Sequence, residues 1–448
     1  MTVKPHSLAS DTQASPADLA RPSRPEAGSL RAPPADLARP SRPEAGSLRA
    51  PIFVQKFGGT SVGDPEKIKQ VARRLVAARG RGGRVVGVVS AMGQTTDELI
   101  ALARQVSPAP DPRELDMLLT VGERISCALV AMAVNDLGYE AISLTGSQAG
   151  IVTDTVHGKA KIVEIRARRI HHALDRDRIV LVAGFQGIST ELDLTTLGRG
   201  GTDTTAVALA AALGADACEI YTDVDGVFTA DPRLVPSARK LHAVSYEEML
   251  ELAAAGAKVL QLRSVELARN TGVRVHVRST FSDQPGTWVT EEDERMLEQA
   301  IISGVTQTTE EAVYRVQGTH PAELFEALAS ANVNVDTIIQ TGTDVIVFSA
   351  PLEDRAAAGA TLDRLGASWS ERDDLGKVSV VGAGMKSHPG VAARTFGVLR
   401  GLGVEPQFVS TSPIKIAFYV HHDEVEPSVG ALHEAFELGA PGSEHPGG

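Results

Sequence analysis

The apolar residues between positions 52 and 290 follow two alternating patterns, short apolar runs and longer stretches with helical spacing. The short runs predict strands at 52–57, 84–89, 140–144, 179–185, 219–222 and 273–277. The longer stretches predict helices at 65–78, 97–106, 112–137, 157–174, 206–213 and 245–270. Strands that alternate with helices favour an α/β fold with a mainly parallel sheet covered on both faces, a three-layer αβα sandwich.

The pattern changes after about residue 287, where an acidic stretch at 291–294 leads into shorter elements. Two units follow, and each consists of a strand, a helix and a strand. The predicted elements lie at 313–316, 322–331 and 345–348, and then at 378–381, 391–402 and 415–420. We therefore predict a large domain at 52–290, two small α+β domains at 300–377 and 378–438, and a frayed, glycine- and proline-rich tail at 439–448.

Residues 1–51 have a different composition from the rest of the chain. They are rich in proline and lack aromatic residues, and the segment 16–33 recurs letter for letter as 34–51. Such a segment has too little apolar surface to offset the entropy of ordering, so we predict a disordered extension. Tandem duplication of a linker explains the repeat, and a docking arm for a partner is the alternative.

Composition narrows the possible functions. Of the 448 residues 43% are apolar and 22% charged, which is typical of a folded core, and the net charge of −12 argues against a nucleic-acid partner. Cys127 and Cys218 lie in apolar segments and indicate no disulfide framework. The chain has no uncharged apolar run near the length of a membrane span and no secretory signal. We therefore expect a cytoplasmic protein without a membrane partner.

The stretch 197–205, LGRGGTDTT, combines three glycines with one cation and four polar side chains, and a predicted helix follows it. Glycines let a backbone approach a ligand closely, and a helix start favours anions. Arg199 could grip a carboxylate or phosphate with two parallel hydrogen bonds. The alternative interpretation is an ordinary tight turn with a helix cap.

Two lysines accompany similar loops. Lys56 ends a predicted strand just before Gly58 and Gly59, and Lys258 follows Ala255-Gly256-Ala257. Each could meet phosphate oxygens while backbone amides cradle them, although either alone could be an ordinary surface residue. The loop at 56–61 is not a Walker A loop, because its lysine precedes the glycines.

A third polar loop, 221–233, follows a strand and mixes carboxylates, hydroxyls and Arg233. Its Asp-x-Asp-Gly fragment lacks the spacing and the closing glutamate of a calcium loop, so a nucleotide loop fits better. The adjacent pairs His171-His172 and His421-His422 have no evident third ligand, and we predict no protein-held metal site.

Five motifs together resemble the aspartate kinases of the amino-acid kinase clan: KFGGTS at 56–61, SAMGQTTDE at 90–98, GER at 122–124, LGRGGTDTT at 197–205 and YTDVDGVFTADPR at 221–233. The two C-terminal units resemble that family's paired ACT regulatory domains. The resemblance implies the amino-acid kinase fold and transfer of the γ-phosphoryl group of ATP to the side-chain carboxylate of L-aspartate. This is the first step in making lysine, threonine, methionine and diaminopimelate. It also implies a homo-oligomer formed through the ACT domains.

The resemblance also implies roles for individual residues. Lys56 and Lys258 would stabilise the transferring phosphoryl group, and Asp203 would help to hold substrate or metal. The substrate would be bound by Arg199 at its α-carboxylate, by Glu123 at its α-ammonium, and by Ser90, Thr96 and Thr202. Magnesium would accompany ATP, held largely by phosphates and water. The ATP site would be lined by Lys56, Phe57, Gly58, Gly59, Tyr221, Thr222, Asp223, Val227, Phe228, Thr229, Ala230, Asp231, Pro232, Arg233 and Lys258.

Two alternatives remain open at this point. One is a clan member that phosphorylates glutamate, acetylglutamate, carbamate or UMP; the other is a non-catalytic amino-acid sensor. The C-terminal units also depart from the family pattern, with a shortened loop at 319–322, Ala392 in place of threonine, Glu405-Pro406 in place of an Asn-Ile pair, and Pro413 in place of glutamate. These departures predict weak or absent inhibition by threonine and lysine.

Overall fold

The computed structural model describes residues 50–291, 302–342, 344–383, 385, 388 and 390–439. The predicted N-terminal extension (apart from residues 50 and 51), most of the acidic stretch and the tail beyond residue 439 lie outside these ranges. Residues 50–291 form the N-terminal unit, and the described residues from 302 onward form the C-terminal half.

An eight-stranded sheet forms the centre of the N-terminal unit. Its strands lie in the order β10-β12-β11-β9-β1-β2-β6-β3, and all neighbours are parallel except β11 and β12. The strands are β1 (Ile52–Phe57), β2 (Arg84–Val89), β3 (Ala141–Leu144), β6 (Ile179–Ala183), β9 (Ala217–Thr222), β10 (Ala243–Ser245), β11 (Val275–Ser279) and β12 (Thr287–Thr290). The predicted, mainly parallel sheet is confirmed.

Helices cover both faces of this sheet, as the sandwich prediction required. One core contains apolar residues of α1 and α3, and the other contains those of α5, α6, α7 and α8. The helices of this unit are α1 (Pro65–Gly80), α2 (Thr95–Val106), α3 (Pro112–Asp136), α4 (Gly146–Ala149), α5 (Arg168–Leu174), α6 (Gly201–Leu213), α7 (Tyr246–Ala254) and α8 (Leu262–Thr271).

Two helix predictions are wrong in detail. Within the predicted helix 157–174, residues 162–165 form strand β5 instead. The chain reverses between Asp154 and Lys161, and the β-branched side chains of this run suit the strand that results. The small sheet β5-β4-β7-β8 consists of β5 (Ile162–Ile165), β4 (Ile151–Thr153), β7 (Gln186–Ser189) and β8 (Leu194–Thr196). The predicted helix 245–270 is broken between α7 and α8, where Gly256 adopts a φ of +109°.

The C-terminal half contains two antiparallel four-stranded sheets. Sheet one has the order β15-β16-β14-β17, and sheet two has the order β13-β18-β20-β19. Their strands are β13 (Gly304–Thr308), β14 (Glu311–Gln317), β15 (Ile338–Thr341), β16 (Val345–Pro351), β17 (Ser368–Arg372), β18 (Leu375–Val381), β19 (Phe408–Ser412) and β20 (Lys415–His421). The helices are α9 (Pro321–Ser330), α10 (Arg355–Arg364), α11 (Gly390–Leu402) and α12 (His422–Ala435).

Strand β13 shows how the two small units are connected. It precedes every strand of sheet one along the chain, yet it pairs with β18 in sheet two. Sheet one and its helices are therefore inserted between the first and second strands of sheet two. The predicted division at 377/378 remains a prediction for the domain limits, while residues 304–308 belong to sheet two.

A buried cation joins the two small sheets to the N-terminal unit. Lys377 on β18 is 1% exposed, and its Nζ lies 2.5 Å from both Glu311 Oε1 and Asp336 Oδ2. The same ammonium donates to the carbonyl of Ala254 at the end of α7. Burial alone would lower the pKa of Lys377, but the negative charge of Glu311 and its neighbours outweighs this effect and raises it. The lysine therefore remains charged inside the junction.

Helix α3 is the one described helix long and apolar enough to cross a membrane. Half of its apolar window is buried within the fold, and the buried carboxylates of Asp116 and Glu123 also lie on it. The core helix of a folded domain meets the same criteria of length and composition, so this finding is weak evidence for a membrane span.

Candidate active site

Three of the predicted loops meet where parallel strands end. The Gly93 amide donates to the carbonyl of Gly59 at 3.1 Å, and the Gly58 amide donates to the carbonyl of Tyr221 at 3.4 Å. A Cβ atom on Gly59 would lie 2.9 Å from the carbonyl oxygen of Ala91. Only glycine permits this approach without a backbone shift. The carboxyl ends of β1, β2 and β9 therefore form one cleft edge, the position where ligands bind in open α/β sheets.

An ion pair lies at this edge. Lys56 Nζ on β1 is 2.6 Å from Asp203 Oδ1 in the first turn of α6, and the two side chains are 12% and 8% exposed. The Cβ position of Gly58 is 3.4 Å from the same ammonium. The structure thus brings two of the predicted site residues together, with a glycine backbone beside them.

The loop 197–205 folds so that α6 begins at Gly201, earlier than the predicted start at 206. Gly200 precedes the helix with a φ of +72°, and a Cβ there would lie 2.2 Å from Gln261. Thr204 and Thr205 donate back to the carbonyls of Gly200 and Gly201, so these two hydroxyls stabilise the first turn. No side chain caps this helix start, which leaves amide groups for an anionic ligand.

Glu123 approaches the same edge from α3. It is 3% exposed, and its Oε1 accepts a hydrogen bond from the Ala91 amide at 3.1 Å. Burial raises the pKa of Glu123 to about 7, and the hydrogen bond from Ala91 partly opposes this effect. One turn further along α3, the hydroxyl of Ser126 donates to the Ser90 carbonyl at 2.6 Å. Glu123 and Ser90 therefore belong to one packed region.

The other two hydroxyls of the predicted substrate site lie in the first turns of two different helices. Thr202 is buried in the first turn of α6 against Gly184, where a Cβ on the glycine would be 2.6 Å from Thr202 Cγ2. Thr96 is half-buried in the first turn of α2, just after the SAMGQ loop.

Two of the predicted cations face the C-terminal half. Arg199 is 79% exposed and lies 3.4 Å from Glu353 Oε2, while Lys258 is 65% exposed and lies 2.5 Å from Glu310 Oε1. Neither forms an ion pair with Asp203 in this conformation. Exposed pairs of this kind contribute about 0–1 kcal/mol, so either cation can exchange its partner for a ligand anion at small cost.

The loop 221–233 combines buried and exposed members. The Tyr221 ring stacks on Phe57 at 4.9 Å and both side chains are buried, so only their backbones are available to a ligand. The side chains of Val227, Thr229 and Ala230 are also buried, and Thr229 Oγ1 lies 2.9 Å from His433 Nε2 of α12. Among the residues predicted to line ATP, the partly or fully exposed members of this loop are Thr222, Asp223, Phe228, Asp231, Pro232 and Arg233.

Arg233 in this loop is held by its neighbour. Its guanidinium meets both carboxylate oxygens of Asp231, with a shortest distance of 2.6 Å. This pair fixes the orientation of the Arg233 guanidinium at the surface, where a phosphate could compete with Asp231 for it.

Three residues that contact this region were not predicted from the sequence. Asp116 is buried beneath the loop 197–205, and Glu310 and Glu353 pair with two of the predicted cations. Asp116 offered a weak signal, since it is a charge between the apolar residues Leu115 and Met117 of the helix predicted at 112–137. The two glutamates offered none, because only the tertiary fold brings them near.

Replacing Glu123 by glutamine tests the burial of this carboxyl group. The raised pKa means that the folded protein keeps a proton that the unfolded chain releases between about pH 4.5 and 7, so this group lowers stability as the pH rises. Glu123→Gln should therefore gain stability relative to wild type from pH 5 to pH 8, by up to roughly 3 kcal/mol. Urea unfolding at each pH measures the difference. Glu98→Gln on exposed α2 is the control, and a pH-independent difference for Glu123→Gln would contradict the assignment.

Profiles of known protein families match segments in both halves of the chain. A profile of the Amino acid kinase family matches residues 51–279, and a profile of the ACT domain matches residues 378–436. The first range contains every element that contributes to the cleft edge, and the second lies on β18, α11, β19, β20 and α12.

Individual relatives extend over most of the chain. It is 53% identical over 406 residues to the aspartokinase of Mycolicibacterium smegmatis, and 51% identical over 406 residues to that of Corynebacterium glutamicum. Each match covers 87% of this chain and 96% of the relative. The fold is similar to that of E. coli aspartokinase III in complex with aspartate and ADP, with a TM-score of 0.77, 24% identity, and coverage of 86% of this chain and 99% of that one. The chain belongs to the aspartokinase family.

Proposed function

We propose that this protein transfers the γ-phosphoryl group of ATP to the side-chain carboxylate of L-aspartate, forming 4-phospho-L-aspartate. The observation that carries the proposal is the Lys56–Asp203 ion pair at a glycine-lined edge where parallel strands end. Family membership supports ATP as phosphoryl donor and aspartate as acceptor. The acceptor carboxylate attacks directly, so the protein needs to supply positioning and charge but no nucleophile.

Lys56 would meet the transferring phosphoryl group. Asp203 holds its ammonium in place before the nucleotide arrives, and the adjacent backbone of Gly58 and Gly59 leaves room for phosphate oxygens. Lys258 would add a second positive charge once it exchanges Glu310 for the nucleotide. The uncapped start of α6 would favour the same negative charge.

Aspartate would bind between α3 and the loop 197–205. The carboxylate of Glu123 would face the substrate ammonium, and the nearby positive charge would favour the ionised form of this buried acid. Arg199 would leave the exposed pair with Glu353 and grip the α-carboxylate. Ser90, Thr96 and Thr202 would donate hydrogen bonds to the substrate.

ATP would lie along the loop 221–233, with Arg233 and Asp231 on its exposed side. Buried residues of that loop would contribute backbone contacts only. Asp203 would help to hold magnesium beside the phosphates, where the ion would supply positive charge. The described residues contain no group of three or more His, Cys, Asp or Glu that could hold a metal, and a cation carried mainly by phosphates and water fits this donor set.

An assay with a panel of substrates distinguishes this proposal from the alternative activities and from a non-catalytic sensor. A clan member acting on glutamate, acetylglutamate, carbamate or UMP would turn over one of those in a coupled ADP assay, and a sensor protein would turn over none. The buried Glu123 favours an acceptor that carries an ammonium group. We further propose a cytoplasmic homo-oligomer, assembled through its ACT domains, that acts at the start of aspartate-family amino-acid biosynthesis.

Lys56→Ala tests the phosphoryl-transfer site. Loss of one placed cation should lower kcat by about a hundredfold or more, because electrostatic stabilisation dominates this type of reaction. The coupled ADP assay measures the rate, and circular dichroism verifies the fold. Lys69→Ala, an exposed lysine on α1, is the matched control and should keep wild-type turnover. A Lys56→Ala rate within a few-fold of wild type would remove Lys56 from the mechanism.

Arg199→Lys tests the carboxylate clamp. Lysine keeps the charge but cannot form two parallel hydrogen bonds, so the KM for aspartate should rise by about tenfold while the KM for ATP stays constant. Glu353→Gln frees the arginine from its present partner and should leave the KM for aspartate unchanged or a few-fold lower. An unaltered KM in Arg199→Lys would place this residue outside the substrate site.

We also propose that feedback inhibition is weak or absent. Ala392 in the first turn of α11 has no hydroxyl, Pro406 before β19 has no backbone N–H, and Glu405 adds an exposed negative charge beside it. Each loss removes about 1 kcal/mol or more of a typical effector contact.

Initial rates with threonine and lysine test this proposal. Each amino acid alone, and both together at millimolar concentration, should leave the rate within about twofold of the uninhibited enzyme, because several contacts of ~1 kcal/mol each are missing. The double variant Ala392→Thr/Pro406→Ile, which restores family residues, provides the comparison. Strong inhibition of the unaltered enzyme by the two amino acids together would contradict it.

A further inference from the structure

A buried carboxylate lies beneath the loop that carries Arg199. Asp116 on α3 is 1% exposed, and its Oδ1 accepts a hydrogen bond from Thr196 Oγ1 at 2.5 Å. Its Oδ2 is 2.8 Å from His157 Nδ1, and the Gly158 amide donates to both oxygens at 3.2 and 3.1 Å. One carboxylate thus binds two separate chain segments, and neither of them belongs to α3.

Both segments border the arginine loop. Thr196 ends β8 and stands three positions before Arg199, and its carbonyl accepts from the Ala160 amide at 3.0 Å. Gly158 lies so close to Gly198 that a Cβ on Gly198 would be 3.0 Å from the Gly158 carbonyl oxygen. Thr196 and Gly158, the hydrogen-bond partners of Asp116, therefore form the base of the loop that carries Gly198 and Arg199.

The outer side of this base has a second set of contacts. Arg263 donates to the carbonyls of Leu197 and Ala160 at 2.9 and 2.8 Å, and Lys159 pairs with Asp354 of the C-terminal half. Arg199 itself makes the exposed contact with Glu353. Both sets of bonds are charge-assisted, and the inner anchor at Asp116 is the more deeply buried of the two.

We propose that Asp116 is a positioning residue for aspartate binding. It acts through Thr196 and Gly158, which hold the backbone of the loop so that Arg199 needs to reorient only its side chain when substrate arrives. Because a pre-ordered loop lowers the entropic cost of binding, the contribution of Asp116 appears as a lower KM for aspartate. Asp116 does not contact the substrate, and the inference rests on the proposed assignment of Arg199 to the α-carboxylate.

A matched pair of threonines separates positioning from simple stabilisation. Thr195 and Thr196 are adjacent on β8 and both are buried, but Thr195 Oγ1 bonds Thr153 Oγ1 at 2.7 Å, whereas Thr196 Oγ1 donates to Asp116. Thr196→Val and Thr195→Val each remove one buried hydroxyl of nearly the same shape, and Thr196→Ser restores the donor to Asp116. Asp116→Asn removes the charge from the anchor.

Steady-state kinetics with the full chain give the first readout. Thr196→Val and Asp116→Asn should raise the KM for aspartate by about five- to tenfold, with kcat and the KM for ATP within about twofold of wild type. Thr196→Ser should recover most of the affinity, and Thr195→Val should leave the KM for aspartate unchanged. An unaltered KM in Thr196→Val, or an equal rise in Thr195→Val, overturns the proposal.

Hydrogen exchange of the free protein gives a readout that needs no activity. Amides 198–201 should exchange faster in Thr196→Val than in wild type, and should keep the wild-type rate in Thr195→Val. Equal exchange in the two variants overturns the proposal. A wild-type enzyme that phosphorylates no aspartate would instead refute the proposed function, and the exchange measurement would still decide whether Asp116 orders the loop.

Discussion

The Lys56–Asp203 ion pair joins the middle of the sheet to the start of α6, and the arrangement of the site depends on it. Its two members come from segments almost 150 positions apart in a chain of 448. They can meet because β1 lies centrally between β2 and β9, so the loops that leave these strands open toward one edge. Gly58 and Gly59 keep that edge free of side chains. The rest of the site is placed by reference to this pair.

Much of this arrangement was predictable because it is local. The buried strands β1 and β2 have the predicted limits, and the motifs at 56–61, 90–98 and 221–233 begin at the carboxyl ends of strands. Local pattern failed where a long-range partner decides the structure. Residues 162–165 become a strand because β4 is available to pair with them, and α6 begins at Gly201 because the backbone there packs closely against Phe185 and Leu197.

The electrostatic partners were the least predictable part of the site. Arg199 and Lys258 stand out in the sequence as cations beside glycines, but nothing in their own segments indicates Glu353 and Glu310 as neighbours. The same is true of Asp116, whose hydrogen-bond partners lie at least 41 positions away. The cations on the face toward the C-terminal half are balanced by carboxylates of that half, and a change in how the two halves pack would alter the charge available to a substrate.

The path of β13 also constrains the order in which the chain can fold. Sheet two needs residues 304–308 and also β18, β20 and β19, so its first strand must wait until all of sheet one and most of the remaining chain have been synthesised. Sheet one has no such requirement, since its four strands are consecutive along the chain. During translation the first small unit can therefore close early, while the second closes last. Because Thr229 bonds His433 of α12, the loop 221–233 acquires its final packing only after residues 422–435 have been synthesised.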